Sequence, residues 1–244
     1  MKKIFLYILA GSLCLSACKK DDEVETYVEP ENIATQNTYD DEAIKKFLND
    51  NYLDASGNIK AFSSTDDADN NEVKLADLSP QTLPTGAIYI VRNNAQPTAG
   101  TTVGDKDVLR IMMRAQAKLA GSTDGNVSFI SSMGFTNNSP LDESGAPLVD
   151  PAFYYVKQSV LTASGKDRSY FEMEGFQEAI RKFQSFDMND ADNYNLQGVI
   201  IVPSRAAFGR DPHSSFGGAY SYRNRTFIFN FQLYKSSARP ADQL

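Results

Sequence analysis

GFQEAIRKFQSFDMNDADNYNLQGVIIVPSRAAFG, residues 175–209, is the stretch from which the fold is read. In its first half Phe176, Ala179, Ile180 and Phe183 recur at i, i+3, i+4 and i+7, the spacing that puts apolar side chains on one helix face. This predicts one principal helix running from Phe176 to Phe186. In the second half Val199-Ile200-Ile201-Val202 is a β-rich run stopped by Pro203 and followed by a small-residue turn, Ala206-Ala207-Phe208-Gly209. Further on, Phe227, Phe229, Phe231 and Leu233 alternate with Thr226, Asn230 and Gln232, the period-two pattern of a half-buried antiparallel strand.

The order of these pieces resembles the C-terminal half of an FKBP-type peptidyl-prolyl isomerase domain. The matching residues are Gly175-Phe176 at the helix start, Val202-Pro203 and Ala207-Phe208-Gly209 at the strand-to-turn step, and Phe227 to Leu233 at the final strand. Upstream, Thr85 to Val91 resembles the family's opening strand, Val108 to Leu119 a long second one, and Val127 to Ser132 a third. Phe153 to Val156 reads as a further short strand, and Asn137 to Pro151 as a long loop. The implied fold class is α+β, an antiparallel β-sheet wrapped around one principal α-helix, with a small N-terminal helical segment.

The resemblance also implies a site. Its catalytic aromatics are Phe129, Phe208 and Phe229, and its substrate pocket takes Phe153, Tyr155, Met173, Phe176, His213, Tyr220 and Tyr222. Rotation about an X-Pro amide has a barrier of about 20 kcal/mol and needs no nucleophile or metal. A dry apolar pocket that favours the twisted amide is sufficient. No metal and no cofactor are therefore expected, and the partners are proline-containing polypeptide segments. Two polar groups of the family pattern are missing: the strand tyrosine falls on Ala115, and the aspartate after the pocket phenylalanine falls on Ile130. Phe208 keeps a ring but lacks the tyrosine hydroxyl. The expectation is thus isomerase activity of weak strength, with a non-catalytic FKBP-like peptide-binding or chaperone lipoprotein as the alternative, and a purely structural lipoprotein as a third reading.

The N-terminus carries its own signal. Lys2 and Lys3 precede an apolar run, Ile4 to Leu15, too short to span a bilayer. Leu15-Ser16-Ala17-Cys18 resembles a bacterial lipobox, which implies a lipid on Cys18 and a membrane-anchored protein of the cell envelope, at the outer membrane's periplasmic face or the cell surface. Lys19-Lys20-Asp21-Asp22-Glu23 reads either as a solvated tether or as a surface-export signal. With the signal removed, 22 basic residues face 31 acidic ones, which argues against a nucleic-acid partner. The organisation expected is a signal peptide over 1–17, a lipidated flexible tether over 18–38 and an N-terminal helical segment and loop over 39–82. An FKBP-like domain over 83–236 and a tail over 237–244 complete it. The helical segment centres on Asp40 to Leu53, where Ile44, Phe47, Leu48 and Tyr52 fall at helical spacing, and its expected role is packing or dimer contact. Asp187, Asp190 and Asp192 lack the glycine and final glutamate of a calcium loop and read as a solvated acidic loop.

Overall fold

A computed structural model describes residues 27–135, 146–213 and 221–244. In chain order its elements are α1 (Ile33–Asp50), β1 (Asn51–Leu53), β2 (Ile59–Ala61), β3 (Gln81–Thr82), β4 (Ile88–Val91) and β5 (Thr101–Thr102). These are followed by β6 (Val108–Thr123), β7 (Asn126–Gly134), β8 (Leu148–Val149), α2 (Gln158–Ser164), α3 (Glu174–Ile180), β9 (Gln184–Ser185), β10 (Gly198–Val202) and β11 (Arg225–Ser237). The architecture is α+β, with three α-helices among the described residues and antiparallel pairing throughout. The main sheet runs β3-β4-β10-β11-β6-β7, with β8 added beside β6.

β11 lies in the middle of this sheet, between β10 and β6. Its odd-numbered side chains Phe227, Phe229, Phe231 and Leu233 join Phe176, Ala179 and Ile180 of α3 in one core, together with Ile111, Met113 and Ala115 of β6. Its opposite face is buried too, since Ile228 packs with Ile44 and Leu48 of α1, Leu75, Ile90, Val199 and Ile201. The half-buried reading of this strand is therefore corrected: Thr226, Asn230 and Gln232 are all buried. Asn230 and Gln232 are satisfied there. Asn230 donates to the carbonyls of Gly57 (2.9 Å) and Gly198 (3.2 Å) and accepts from the Ile59 N–H, and Gln232 accepts from the Asn195 N–H at 2.6 Å. Burying an amide costs little once its hydrogen bonds are replaced, so polar residues can line a covered face.

The cover is α1, and it is the longest helix, which also corrects the expected layout. Asn32 caps it by accepting from the Ala34 N–H at 2.8 Å. Its buried stripe is Gln36, Asp40, Ala43, Ile44 and Leu48, polar at the start and apolar only from Ala43 onward. Asp40, expected at the helix N-terminus, instead sits inside it and is buried. Its Oδ2 accepts from the Ser204 N–H (2.9 Å) and hydroxyl (2.5 Å), its Oδ1 accepts from Gln36 Nε2 (3.0 Å), and Gln36 also reaches the Ala120 carbonyl. Residues 33–38, expected in a flexible tether, are thus helix, and Glu29 before them forms a two-pronged pair with Arg223 at 2.6 and 2.8 Å.

The helix read as principal is shorter than expected. α3 stops at Ile180, and Phe183 packs from the turn beyond it, 4.9 Å from Phe231, because the chain must swing back to pair β9 with β5. Gly175 lets α3 approach β10: a Cβ there would fall 2.7 Å from Val202 Cγ1 and 2.9 Å from Ala206 Cβ. Phe153 to Val156 is a turn rather than a strand, and the segment after it forms α2. The expected tail is also packed, with Arg239 buried and paired to Asp150. Among the described residues no helix is long and apolar enough to cross a membrane.

Two outcomes follow from this packing. Phe229 has no exposed surface, so Phe229→Ala should cost about 3–5 kcal/mol in urea unfolding, the loss typical of a large core ring. A loss below about 1 kcal/mol would mean that the ring borders open space. Burial pushes the Asp40 carboxyl above the usual carboxylate range, against the hydrogen bonds from Ser204 and Gln36 that pull it down. A folded pKa above the unfolded one means the folded state holds the proton longer, so stability is greatest below the ordinary carboxylate value and is lost as pH rises through the raised one. The melting temperature of the natural chain minus that of Asp40→Asn should therefore fall as pH rises from about 4 toward neutrality. A difference independent of pH would contradict it.

Candidate functional site

The proline-led turn after β10 builds an aromatic arrangement just beneath the surface, with Phe208 and His213 buried and Tyr170 half-buried. Pro203 opens a single 3-10 turn, Ser204–Ala206, and the Gly209 N–H closes onto the Ser204 carbonyl at 2.8 Å. Gly209 takes a positive φ of 56°, so the chain reverses directly behind Phe208. His213 also sits in the left-handed region, at φ 46°, with its N–H donating to Asp211 Oδ1 at 2.9 Å. The imidazole lies flat on the Phe208 ring, centroids 3.9 Å apart and planes 10° apart, and its other face stacks on Tyr170 at 4.5 Å. The result is a stack of three rings, Phe208, His213 and Tyr170.

Both sides of the stack are anchored from behind. Asp40 of α1 grips Ser204, while Glu29 bridges Arg223 and Arg210. The Arg223 hydrogen bonds hold the Glu29 carboxyl below its usual range. On the far side Arg168 donates to the Val156 carbonyl at 2.7 Å and pairs with Glu172 at 3.1 Å, which fixes the turn that carries Tyr170. A concavity of about 340 Å³ opens over the stack, with Lys166, Asp167 and Asp211 among its lining residues. The Lys166 ammonium lies 4.9 Å from the Tyr170 ring centre.

His213 Nε2 meets the Tyr170 carbonyl, and Nδ1 is buried 3.1 Å from Asp211 Oδ1 without hydrogen-bond geometry toward it. The ring is thereby held as a packing element, with neither nitrogen presented to the concavity as a general acid or base. Among the described residues no group of three or more His, Cys, Asp or Glu side chains is placed to hold a metal. What this concavity offers is one half-buried ring, Tyr170, with charges of both signs at the rim.

The residues expected to form a prolyl pocket divide between three places. Phe153, Phe176 and Phe229 do converge, with ring centres 4.6 to 5.5 Å apart, but they pack against one another. Phe176 and Phe229 have no accessible surface and Phe153 only 3%, so a water-sized sphere finds no room between them. Met173 is equally enclosed, and Tyr155 is clamped between the guanidinium groups of Arg168 and Arg239 at 4.4 and 4.6 Å. Phe208 and His213 belong to the ring stack, and Tyr222 joins the edge of the core 5.7 Å from Phe227. Tyr220 and Cys18 lie outside the described residues.

Phe129 is on the other face of the sheet, 6.1 Å from Phe47 of α1, so it shares no wall with Phe229. The cause is a bulge in β7 at Ile130, the extra residue between Ser131, which pairs with Leu119, and Phe129, which pairs with Ala120; it shifts the β6–β7 register and turns Phe129 toward α1. The ring that does meet Phe153, Phe227 and Phe229 is Phe135, at 5.2, 4.8 and 6.0 Å. Strict alternation from Phe129 puts both rings on one face, so only knowledge of the bulge separates them. Ala115 pairs with Phe229 in register within the buried core, and Ile130 is exposed beside Tyr27, Tyr39 and Gly121, away from Phe153, Phe176 and Phe229.

No family model matches the sequence, and no curated protein matches it. Among solved structures, the chain is similar to FkpA from Escherichia coli, with 16% identity over 66% of this chain, 53% of that one and a TM-score of 0.37. It therefore spans about half the length of that protein. It is also similar to a peptidyl-prolyl cis-trans isomerase from Pseudomonas syringae pv. tomato, with 12% identity over 65% of this chain, 81% of that one and a TM-score of 0.33. Both overlaps are partial and at low identity, and they assign no chemistry to this chain.

Proposed function

We propose that this chain is a non-catalytic, FKBP-like peptide-binding or chaperone module held at the cell envelope by a lipid on Cys18. The observation that carries the non-catalytic half is the closure of the aromatic core: Phe153, Phe176 and Phe229 fill the space that an isomerase would leave for a pyrrolidine ring. A twisted amide cannot be favoured by a pocket with no room for it. Binding is supported by the concavity beside the stack, where the half-buried Tyr170 ring meets Lys166, Asp167 and Asp211 while Phe208 and His213, buried beneath, fix its position. A proline or aromatic side chain of an extended segment packs against such a ring without requiring a deep cavity. The envelope placement rests on the sequence alone, on Lys2, Lys3, the apolar run after them and the Leu15-Ser16-Ala17-Cys18 lipobox.

The chain from Lys19 onward should leave the cis–trans exchange rate of an Ala-Pro test peptide at its uncatalysed value, tens of seconds near 25 °C. In heteronuclear spectra the same peptide should shift the resonances of Tyr170, Phe208 and His213. Turnover like that of an ordinary isomerase, or shifts confined to Phe153, Phe176 and Phe229, would overturn this reading. In cells, Cys18→Ser should move the protein from the membrane to the soluble fraction, and retention at the membrane would remove the lipid anchor from the proposal.

A further inference from the structure

On the face of the sheet opposite the ring stack, β6 carries Arg114 and Lys118 along a cleft of about 220 Å³. Phe47 of α1, Asn51 of β1, Ile59 of β2, Gln116 of β6 and Ile228 and Asn230 of β11 line the rest of it. Lys118 is half-buried there. Its Nζ lies 5.7 Å from the Phe47 ring centre and 5.9 Å from that of Phe129, and it donates one hydrogen bond, to Ser132 Oγ at 3.2 Å. Among the described residues no carboxylate lies within ion-pair distance of it, although the chain carries 31 acidic residues against 24 basic ones. Removal from water pushes its pKa down. A charge held away from water is costly without a counter-charge, and the two rings offset only part of that cost. An ammonium has three donors, of which Ser132 takes one.

The rest of the cleft limits what supplies the counter-charge. Ile59 and Ile228 offer an apolar floor. Asn230 is fully engaged with the Gly57 and Gly198 carbonyls and the Ile59 N–H, so it acts as a fixed wall. One half-buried point charge, a second cation at the rim and a hydrocarbon floor suit a singly charged head on an apolar body better than a strongly hydrated dianion.

We propose that this cleft binds a carboxylate carried on a small apolar group, with the carboxylate on Lys118 Nζ, Arg114 at the rim and the apolar body against Ile59 and Ile228. This goes beyond the peptide-binding reading and uses none of the residues of the ring stack. The carboxylate comes either from a free short-chain acid or from the C-terminus of a peptide.

The test titrates the chain from Lys19 onward, which retains every described residue, with hexanoate, with the peptide Ac-Ala-Ala-Leu bearing a free carboxylate, with the amides of both and with inorganic phosphate. At least one carboxylate should shift Phe47, Ile59 and Ile228 saturably and raise the Lys118 pKa, read from its side-chain carbon shift. Its amide should bind at least about tenfold more weakly, as should the carboxylate to Lys118→Met. Lys118→Met should melt no lower than the natural chain, since it removes an unpaired half-buried charge. Which carboxylate binds identifies the source. Equal binding by the amides or by phosphate, unchanged binding to Lys118→Met, an unmoved Lys118 pKa, or no binding by either carboxylate would each overturn the proposal. None of these outcomes bears on Tyr170, Phe208 or His213, so the two readings fail separately.

Discussion

The structure depends on a central strand that must be covered on both sides. β11 pairs with β6 along nearly its whole length and with β10 from Phe227 to Phe231, and a strand held on both sides over that stretch has no edge there to give to solvent. Its phenylalanine face needs α3 and the loops around Phe135 and Phe153, and its other face needs α1. Each buried phenylalanine contributes roughly 1.5–3 kcal/mol, so the four apolar side chains Phe227 to Leu233 are a large share of a marginal stability. The aromatic crowding on that side, and the long N-terminal helix on the other, are two consequences of one strand position.

α1 stands on the second face as a layer of the fold. Its link to the turn that carries Phe208 is the buried Asp40 carboxylate, bonded to Ser204 and backed by Gln36. The same turn is held by Glu29 through Arg223 and Arg210. The ring stack therefore rests on residues more than 160 positions earlier in the chain. His213 itself holds a left-handed conformation, with its N–H donating to Asp211.

Much of this was legible in the sequence. The alternation in Phe227 to Leu233 and the Val199 to Val202 run placed two neighbouring strands, and the spacing of Phe176, Ala179 and Ile180 placed a helix against them. What escaped notice had physical causes. Gln36 and Asp40 begin the buried stripe of α1 with polar side chains, so a search for apolar periodicity starts the helix two turns late. Thr226, Asn230 and Gln232 suggested a wet face, because hydrogen bonds that make a buried amide acceptable are invisible in one dimension. The bulge at Ile130 put Phe129 and Phe135 on opposite faces of the sheet, and no residue at that point announces it. Lys118 read only as one polar residue of an imperfectly alternating strand. Its half-buried, unpaired state follows from the docking of α1, which the sequence shows only in part.

A non-catalytic role requires that the aromatic rings beneath β11 fill one another and enclose no hollow. Apolar hollows of the size of a small ring stay dry and take up xenon, whereas a close-packed cluster does not. Nuclear magnetic resonance under xenon pressure therefore addresses the point without a ligand, an assay or a mutation. The account predicts no saturable shift at Phe153, Phe176 or Phe229. A saturable xenon-dependent shift centred on those three rings would reveal an unfilled chamber and contradict it.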